Sequence, residues 1–257
     1  GYPDTTGLSS IDYRITDKLA ECENSQNFYS EKLLFCKNSF LSYKNPSNKP
    51  PIIDYEKSEL SEIIFGSFNN IAKLSLQTIN LWCEVLKSVE NSVLYLKCKS
   101  FNDSQIRDSV LEKFTSNGID YHKIRFSGFS YSQDEHLCEY NKIDIALDTF
   151  PYNGTTTTCE ALSMGVPVLS LKGNTHASRV GNSILSNSNL QDFVLDSQTK
   201  FVEKCREVSR LILTKKLSKK TICDKFSSGN ICSCKDFSNS FFSLLKESYE
   251  NLKWIIF

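Results

Sequence analysis

Four consecutive threonines, at positions 155–158, stand where a short apolar run has ended and a helical pattern begins. A threonine hydroxyl at the start of a helix can accept hydrogen bonds from backbone N–H groups that have no partner inside the helix. One threonine suffices for such a cap. The other hydroxyls, together with the free N–H groups and the positive end of the helix dipole, make a site suited to a phosphate or a diphosphate.

Lys73 is the candidate cation for this anion site, because it lies in a loop that follows another apolar run. From there its ammonium group could reach a diphosphate held by the threonines. A cation in that place would stabilise the negative charge that develops on a departing nucleoside diphosphate. The alternative is a solvated surface lysine, which is the usual state of a charge in a loop.

Glu160 and His136 are candidate contacts for the rest of a nucleotide. The Glu160 carboxylate could accept hydrogen bonds from the two hydroxyls of a ribose, or it could be an acid that the helix dipole favours near the helix start. The His136 ring could pack on a base or hydrogen-bond to it, or it could have a structural role.

Asp148 and Arg179 are weaker candidates. Asp148 ends an apolar run, where it could orient the following loop or assist the reaction, but aspartate is also common in turns. Arg179 could supply a second cation near the phosphates, or it could be a helix-surface residue.

The elements that must position these residues follow from the alternation of apolar runs with helical spacing. We predict strands at residues 63–68, 92–98, 123–129, 143–148, 166–171 and 193–195. We predict helices at residues 76–89, 103–117, 133–140, 155–164, 177–185, 198–216 and 237–254, with Leu76 on the apolar face of the first. This pattern is typical of an α/β fold with a doubly wound, Rossmann-like parallel sheet, in which ligands bind at the carboxyl ends of the strands.

The first 60 residues show little periodicity, and residues 45–51 are rich in structure-breaking proline and asparagine. We interpret this segment as an irregular connection with one short helix near residues 30–35. Because the chain begins at Gly1 and not at methionine, we expect a processed chain or a fragment of a longer one.

Composition excludes several classes of partner. With 257 residues and 40% hydrophobic content the chain can bury a large core. The 30 basic and 30 acidic residues balance, which gives no basis for a nucleic acid or a membrane surface as partner. We expect no membrane span and no signal peptide. There is no GxGxxG or Walker motif, so phosphate recognition would have to come from Lys73 and the threonines.

The ten cysteines are scattered, and several stand where small apolar residues would, so we interpret them as reduced thiols. Cys223, Cys232 and Cys234 could ligate a metal, but their spacing matches no common zinc pattern, and we expect no metal and no cofactor. Residues 153–155 would be a glycosylation acceptor in the secretory route, and a glycan there would block the anion site. The cytosol or the nucleus is therefore favoured.

Five segments resemble the SPINDLY proteins and their relatives, the O-GlcNAc transferases: GYPDTTGLSSIDYRITD (1–17), FGSFNNIAK (65–73), LKCKSF (96–101), LDTFPYNGTTTTCEALSMGVPV (147–168) and GNTHASRVGNSIL (173–185). This family, glycosyltransferase family 41, consists of inverting protein O-glycosyltransferases of the GT-B fold, which has two Rossmann-like halves that tetratricopeptide repeats usually precede. The resemblance implies that the chain is the carboxyl-terminal, donor-binding half. Residues 1–60 would then end the amino-terminal half and form the linker, 61–236 would be the nucleotide-sugar-binding domain, and 237–257 a carboxyl-terminal helix.

The resemblance also implies roles for single residues. Lys73 would be the catalytic lysine that binds the diphosphate, Glu160 the ribose ligand, and His136 and the backbone near Tyr131 the contacts of the base. It further implies that Asn70 is a polar neighbour of Lys73 and that Thr156 and Thr157 supply the phosphate-binding hydroxyls. Together with the candidates from the residue types, the predicted donor-binding residues are Asn70, Tyr131, His136, Thr155, Thr156, Thr157, Glu160 and Arg179.

Two features of the sequence bear on the donor. O-GlcNAc transferases typically carry histidine and aspartate where this chain has Thr155 and Glu160. At these two positions the chain resembles the SPINDLY proteins, and this resemblance favours GDP-fucose as the donor. The ASRV segment is closer to the GlcNAc-type pattern, which keeps UDP-GlcNAc open. The expected function is transfer of the sugar to Ser or Thr of nuclear and cytosolic proteins. The alternative is a non-catalytic nucleotide-sensing module, since the amino-terminal catalytic half and the tetratricopeptide repeats are absent from this sequence.

Overall fold

The apolar runs between Ile63 and Leu195 form one parallel sheet in the computed structural model, which describes residues 3–253. The strands in chain order are β1 (Tyr13–Asp17), β2 (Lys32–Cys36), β3 (Ile63–Ser67), β4 (Ser92–Lys97), β5 (Ile124–Ser127), β6 (Ile145–Leu147), β7 (Val168–Leu171) and β8 (Val194–Leu195). The last six build the main sheet, in the order β5-β4-β3-β6-β7-β8, and every pair is parallel. This is the strand order of a doubly wound nucleotide-binding sheet, and it confirms the predicted fold class.

The direction in which the sheet grows reverses between β3 and β6. The chain adds β4 and β5 on one side of β3 and then returns to add β6, β7 and β8 on the other. Because the strands are parallel, the loops that follow β3 and β6 leave the same edge of the sheet, and they lead to helices on opposite faces. The crevice between two such loops is where open α/β sheets bind ligands.

Helices cover both faces of the sheet. They are α1 (Leu76–Ser88), α2 (Ser104–Thr115), α3 (Gln133–Cys138), α4 (Thr156–Ser163), α5 (Val180–Ser186), α6 (Gln198–Leu213), α7 (Lys219–Ser227) and α8 (Cys234–Lys253). Polar side chains start several of them: Ser75 accepts a hydrogen bond from the Thr78 amide before α1, and Asp103 accepts one from the Gln105 amide before α2. Gly165, at a φ of 75°, follows α4 as predicted.

The core forms on the two sides of the sheet. On one side the buried residues of α1, α2 and α6 pack against the strands, and they include Trp82, Phe114 and Phe201. On the other side α4, α5 and α7 contribute a second cluster, which includes Leu162 and Phe226. Burial of these apolar side chains is what holds the strand ends, and therefore the loops between them, in fixed positions.

The predicted helix near residues 30–35 is wrong, because Lys32–Cys36 is strand β2 and pairs in parallel with β1. This small sheet is tied to the main domain by buried polar groups. Asp17 accepts a hydrogen bond from the Ser183 hydroxyl at 2.6 Å, and Glu21 is paired with Nδ1 of His176 at 2.7 Å. The domain boundaries proposed from the sequence stay predictions.

Two further predictions about the helices need correction. Helix α7 was missed, because it is short and four of its nine residues are lysine or aspartate, so its apolar face is narrow. Leu76 is 67% exposed, since it is the first residue of α1 and the buried face begins one turn later at Ile79. The predicted carboxyl-terminal helix exists as α8, and residue 254 of that prediction lies outside the described residues.

All ten cysteines are free, in agreement with the interpretation as thiols. No helix within residues 3–253 combines the length and apolar character that crossing a membrane requires.

Two leucines of α1 offer a matched test of this packing. Leu86 is fully buried in the core, whereas Leu76 is largely exposed. We expect Leu86→Ala to lower the free energy of unfolding by about 2–5 kcal/mol, because it removes buried methyl groups and leaves a cavity. Leu76→Ala should change it by no more than about 0.5 kcal/mol. Urea unfolding followed by circular dichroism measures both, and equal losses would contradict the assigned packing of α1.

Candidate functional site

The loops that follow β3 and β6 meet at the point where the sheet reverses. After β3 the chain passes through Asn69 and forms a short 3-10 helix at Ile71–Lys73. After β6 it makes a turn and enters α4 at Thr156. The Thr157 hydroxyl donates a hydrogen bond to Oδ1 of Asn69 at 2.9 Å, which joins the two loops directly.

Asp148 holds the turn between β6 and α4. Its side chain is buried, with 3% of its surface exposed. Oδ1 accepts hydrogen bonds from the amides of Thr149 at 2.9 Å and Gly154 at 2.6 Å, and Oδ2 accepts one from the Ser170 hydroxyl at 2.7 Å. Burial raises the pKa of Asp148 to about 6, although these hydrogen bonds and the charge of Lys73 act in the opposite direction. The residue therefore orients the loop, which was one of the roles considered from the sequence.

The Lys73 side chain points towards this turn. Its Nζ donates a hydrogen bond to the backbone carbonyl of Asn153 at 2.8 Å and lies 4.1 Å from the centre of the Tyr152 ring. Burial lowers the pKa of Lys73, and the negative charge of Asp148 opposes that shift. Lys73 is thus a partly buried, hydrogen-bonded cation close to the start of α4, and the alternative of a freely solvated surface lysine does not describe it.

The four threonines differ in their surroundings. Thr156 is exposed, Thr155 and Thr157 are half-buried, and Thr158 is buried. Thr155 occupies the cap position of α4, but no side chain makes a capping hydrogen bond there, so the expected threonine cap is wrong. The Thr157 hydroxyl donates to Asn69 and is not used as a cap. The amino end of α4 therefore keeps uncapped N–H groups next to a set of hydroxyls.

Gly154 allows the turn to lie against the helix start. A Cβ atom at this position would stand 2.6 Å from Oγ1 of Thr157 and 2.7 Å from Oγ1 of Thr158, which is closer than such atoms approach. Only a residue without a side chain leaves these two hydroxyls in place.

Glu160, His136 and Lys97 form a hydrogen-bonded row beside the threonines. Nε2 of His136 lies 3.0 Å from Oε2 of Glu160, and Nδ1 of the same ring lies 2.7 Å from Nζ of Lys97. The Tyr140 hydroxyl also donates to Oε2 of Glu160, at 3.3 Å. The structure therefore brings two of the predicted site residues, Glu160 and His136, into direct contact.

Three other predicted site residues make no direct hydrogen bond to the threonines within the described part of the chain. Asn70 is exposed, and its side chain accepts a hydrogen bond from the Ala72 amide at the start of the 3-10 helix. Tyr131 is 89% exposed, and its amide donates to the Glu135 carboxylate at 2.9 Å. Arg179 donates to the Gly173 carbonyl at 3.2 Å. The hydrogen bonds of these three side chains and amides are made to residues other than the threonines.

Sequence reasoning missed two residues of this site. Asn69, and not its neighbour Asn70, contacts the threonines, and periodicity cannot distinguish adjacent positions in a loop. Lys97 was not considered, although it ends the apolar run SVLYLK and so had to lie at the carboxyl edge of the sheet.

Within residues 3–253 there is no cluster of three or more histidine, cysteine, aspartate or glutamate side chains that could hold a metal ion. The expectation that the site uses no metal stays a prediction.

The fold and the site define a class of protein. A mutant of the Thermobaculum terrenum O-GlcNAc transferase superposes with a TM-score of 0.85 and 25% identity, covering 97% of this chain and 46% of that one. The sucrose-phosphate synthase of Thermosynechococcus elongatus shares the fold at a TM-score of 0.54 and 11% identity, covering 93% of this chain and 59% of that one. The chain therefore has the Rossmann-like fold of one half of a GT-B glycosyltransferase.

The chain belongs to glycosyl transferase family 41, whose family model matches residues 54–241. It is 36% identical over 233 residues to the Solanum lycopersicum protein named "Probable UDP-N-acetylglucosamine--peptide N-acetylglucosaminyltransferase SPINDLY", covering 87% of this chain and 25% of the relative. It is 30% identical over 215 residues to the SEC protein of Arabidopsis thaliana, which has the same enzyme name, covering 79% of this chain and 21% of the relative. The chain thus spans about a quarter of the length of these relatives, and the expected family is confirmed.

The buried Asp148 should make stability depend on pH. In the folded chain its pKa is about 6, above the ordinary value of 3.8, so the folded state holds the proton more tightly than the unfolded state. The contribution of this group to stability therefore falls as the pH rises from about 4 to about 6, by up to about 3 kcal/mol. Asp148→Asn lacks the titrating group and should escape this loss.

The measurement is the difference in unfolding free energy between Asp148→Asn and the wild type at pH 4, 5, 6 and 7. Taking the difference removes the contributions of the other carboxylates. We expect it to shift in favour of the variant with rising pH and to level off above about pH 6.5. A difference that stays constant across this range would contradict the buried, raised-pKa carboxyl.

Proposed function

We propose that the chain is the donor-binding half of an inverting O-glycosyltransferase, which transfers a sugar from a nucleoside-diphosphate sugar to Ser or Thr of nuclear and cytosolic proteins. One observation carries the proposal. The Lys73 ammonium is held at the carbonyl of Asn153, immediately before the uncapped, hydroxyl-rich amino end of α4.

The chemistry of this place supports a diphosphate. An ammonium group has three N–H donors, and the carbonyl of Asn153 takes one, which leaves two for phosphate oxygens. The free N–H groups of α4 and the positive end of its dipole favour the same negative charge. The exposed Thr156 hydroxyl would add a neutral donor, and the Thr157 hydroxyl would add a second by exchanging its partner Asn69 for a phosphate oxygen.

The row beside the threonines supports a ribose next to the diphosphate. His136 and Tyr140 both contact Oε2 of Glu160, and among residues 3–253 the other oxygen, Oε1, has no hydrogen bond, so it could accept from two ribose hydroxyls. The base would lie beyond it, near His136 and the Tyr131 segment. Asn70 and Arg179 remain proposed donor contacts at the rim of the site.

In the proposed reaction the acceptor hydroxyl attacks the anomeric carbon in line with the leaving diphosphate. Lys73 and the amino end of α4 would stabilise the charge that the diphosphate gains as its bond to the sugar breaks. The scheme requires no metal and no cofactor. The residues that receive the acceptor proton would come from the amino-terminal half of the full-length enzyme, beyond this chain.

The proposed donor is GDP-fucose, on the basis of Thr155 and Glu160. The relatives described above are named for UDP-N-acetylglucosamine, so the two donors need a direct comparison. We further propose that tetratricopeptide repeats and the amino-terminal half complete the enzyme, since the chain covers only a quarter of these relatives.

The role of Lys73 is testable by substitution. We expect Lys73→Ala in the full-length enzyme to lower turnover by about two to three orders of magnitude, because one charged donor to the leaving group is lost. Transfer of radiolabelled sugar to an acceptor protein measures the effect. Lys87→Ala is the matched control, since Lys87 is an exposed lysine in the last turn of α1 and should leave turnover unchanged.

Calorimetric titration of the 257-residue chain with GDP, UDP, GDP-fucose and UDP-GlcNAc accompanies this assay. Tighter binding of GDP and GDP-fucose than of UDP and UDP-GlcNAc would support GDP-fucose as donor.

Normal turnover in Lys73→Ala would contradict the proposed role of the lysine. Nucleotide binding without any transfer by the full-length protein would favour a nucleotide-sensing module, and no binding at all would refute both functions.

A further inference from the structure

Lys97 is a buried cation without a role in the scheme above. It is the last residue of β4, only 6% of its surface is exposed, and its Nζ lies 2.7 Å from Nδ1 of His136. A charged group is almost never fully buried unless it has a partner that compensates for lost hydration. Here the direct partner is a histidine ring and not a carboxylate.

The two neighbours of His136 require the same arrangement of protons. The Lys97 ammonium has only donors, so Nδ1 must accept and carry no proton. The Glu160 carboxylate only accepts, so Nε2 must donate its N–H. The ring is therefore neutral and fixed as the Nε2–H tautomer, and each neighbour reinforces the choice made by the other.

Charges from three elements surround this row. Burial lowers the pKa of Lys97, whereas the negative charges of Glu139 and Glu160 act in the opposite direction. Lys142, which is ion-paired with Glu139 at 2.6 Å, lowers it slightly further. The ring of Phe68 lies 5.6 Å from Nζ of Lys97, and its centre lies 6.0 Å from that of the His136 ring.

Fixing the ring also fixes the carboxylate. Oε2 of Glu160 is held between Nε2 of His136 and the Tyr140 hydroxyl, and in the described part of the chain Oε1 has no hydrogen bond. The Lys97 ammonium occupies Nδ1 and so keeps the Nε2–H of the ring directed at Oε2 of Glu160.

We propose that Lys97 is a positioning residue, which acts through His136 to hold the Glu160 carboxylate in place as the acceptor for the ribose hydroxyls of the nucleotide. The inference rests on the proposed function, because it assigns a role within the same site. Lys97 itself does not contact the nucleotide.

The first experiment compares ribonucleotides with 2′-deoxyribonucleotides. GDP, UDP and their 2′-deoxy forms are titrated calorimetrically into the 257-residue chain. In the wild type the 2′-hydroxyl should be worth about tenfold in affinity, as expected for a hydrogen bond to a charged group. In Lys97→Met, which keeps the length of the side chain without its charge, this discrimination should shrink to about twofold.

Two further variants control this comparison. Lys99→Met removes the neighbouring exposed lysine and should keep the full discrimination. Lys97→Arg retains a cationic donor and should retain most of the discrimination. Loss of the discrimination in Lys97→Arg but not in Lys97→Met would overturn the proposal, because the effect would then follow side-chain size and not the donor.

The second experiment observes the ring directly. The chain has three histidines, so long-range ¹H–¹⁵N spectra contain only three imidazole patterns, and His136→Gln identifies the one in question. The wild type should show a neutral Nε2–H ring. In Lys97→Met, Nδ1 loses its hydrogen-bond donor, and its ¹⁵N resonance should move to the position of an unprotonated nitrogen without a hydrogen bond while Nε2 keeps its proton. If Lys97 had only a structural role, replacing it would not change the imidazole signals of His136.

The outcomes separate the two proposals. No nucleotide binding by the folded wild type refutes the proposed function and this inference with it. Binding without 2′-hydroxyl discrimination, or a wild-type His136 ring that is cationic or protonated at Nδ1, overturns the inference and leaves the function standing. The wild-type spectrum alone decides the tautomer, even if Lys97→Met does not fold.

Discussion

The candidate site depends on the burial of one carboxylate, that of Asp148. Removing a carboxylate from water is costly, and this one is compensated by two backbone amides, one hydroxyl and the nearby charge of Lys73. The Gly154 amide can reach it only if the chain folds back after β6. The same turn presents the Asn153 carbonyl to Lys73 and leaves α4 to begin with threonines. The buried charge thus determines the shape of the anion site.

This arrangement costs folding free energy, because the start of α4 has no side-chain cap and the Lys73 ammonium is partly buried. An uncapped helix start and a partly buried ammonium are both less stable than capped or solvated alternatives. Protein folds retain such features mainly where a ligand completes them. Membership of glycosyl transferase family 41 and the doubly wound sheet agree with a diphosphate as that ligand. In the proposed ribose site the same principle applies to Lys97 and His136, because each makes a hydrogen bond that fixes the position of its neighbour.

Much of this fold could be predicted, and the failures have physical causes. The central strands β3, β4, β6 and β7 are rich in apolar residues, as strands buried on both faces must be, whereas the edge strand β5 (IRFS) is not. Strand β2 could not be assigned, because KLLFC fits a helix or a strand equally and its pattern does not show the pairing with β1. The threonines and Lys73 were identifiable from residue type and from their place at strand ends. Asn69 and Lys97 were not, since their contacts depend on loop register and on which strands are neighbours.

The most direct test of the central claim is a crystal structure of the 257-residue chain with GDP or UDP bound. The account predicts phosphate oxygens within about 3 Å of Nζ of Lys73, of the Thr156 or Thr157 hydroxyl and of the first amides of α4. The turn held by Asp148 should keep its present hydrogen bonds. A diphosphate bound away from α4, with Lys73 still directed only at the Asn153 carbonyl, would contradict it.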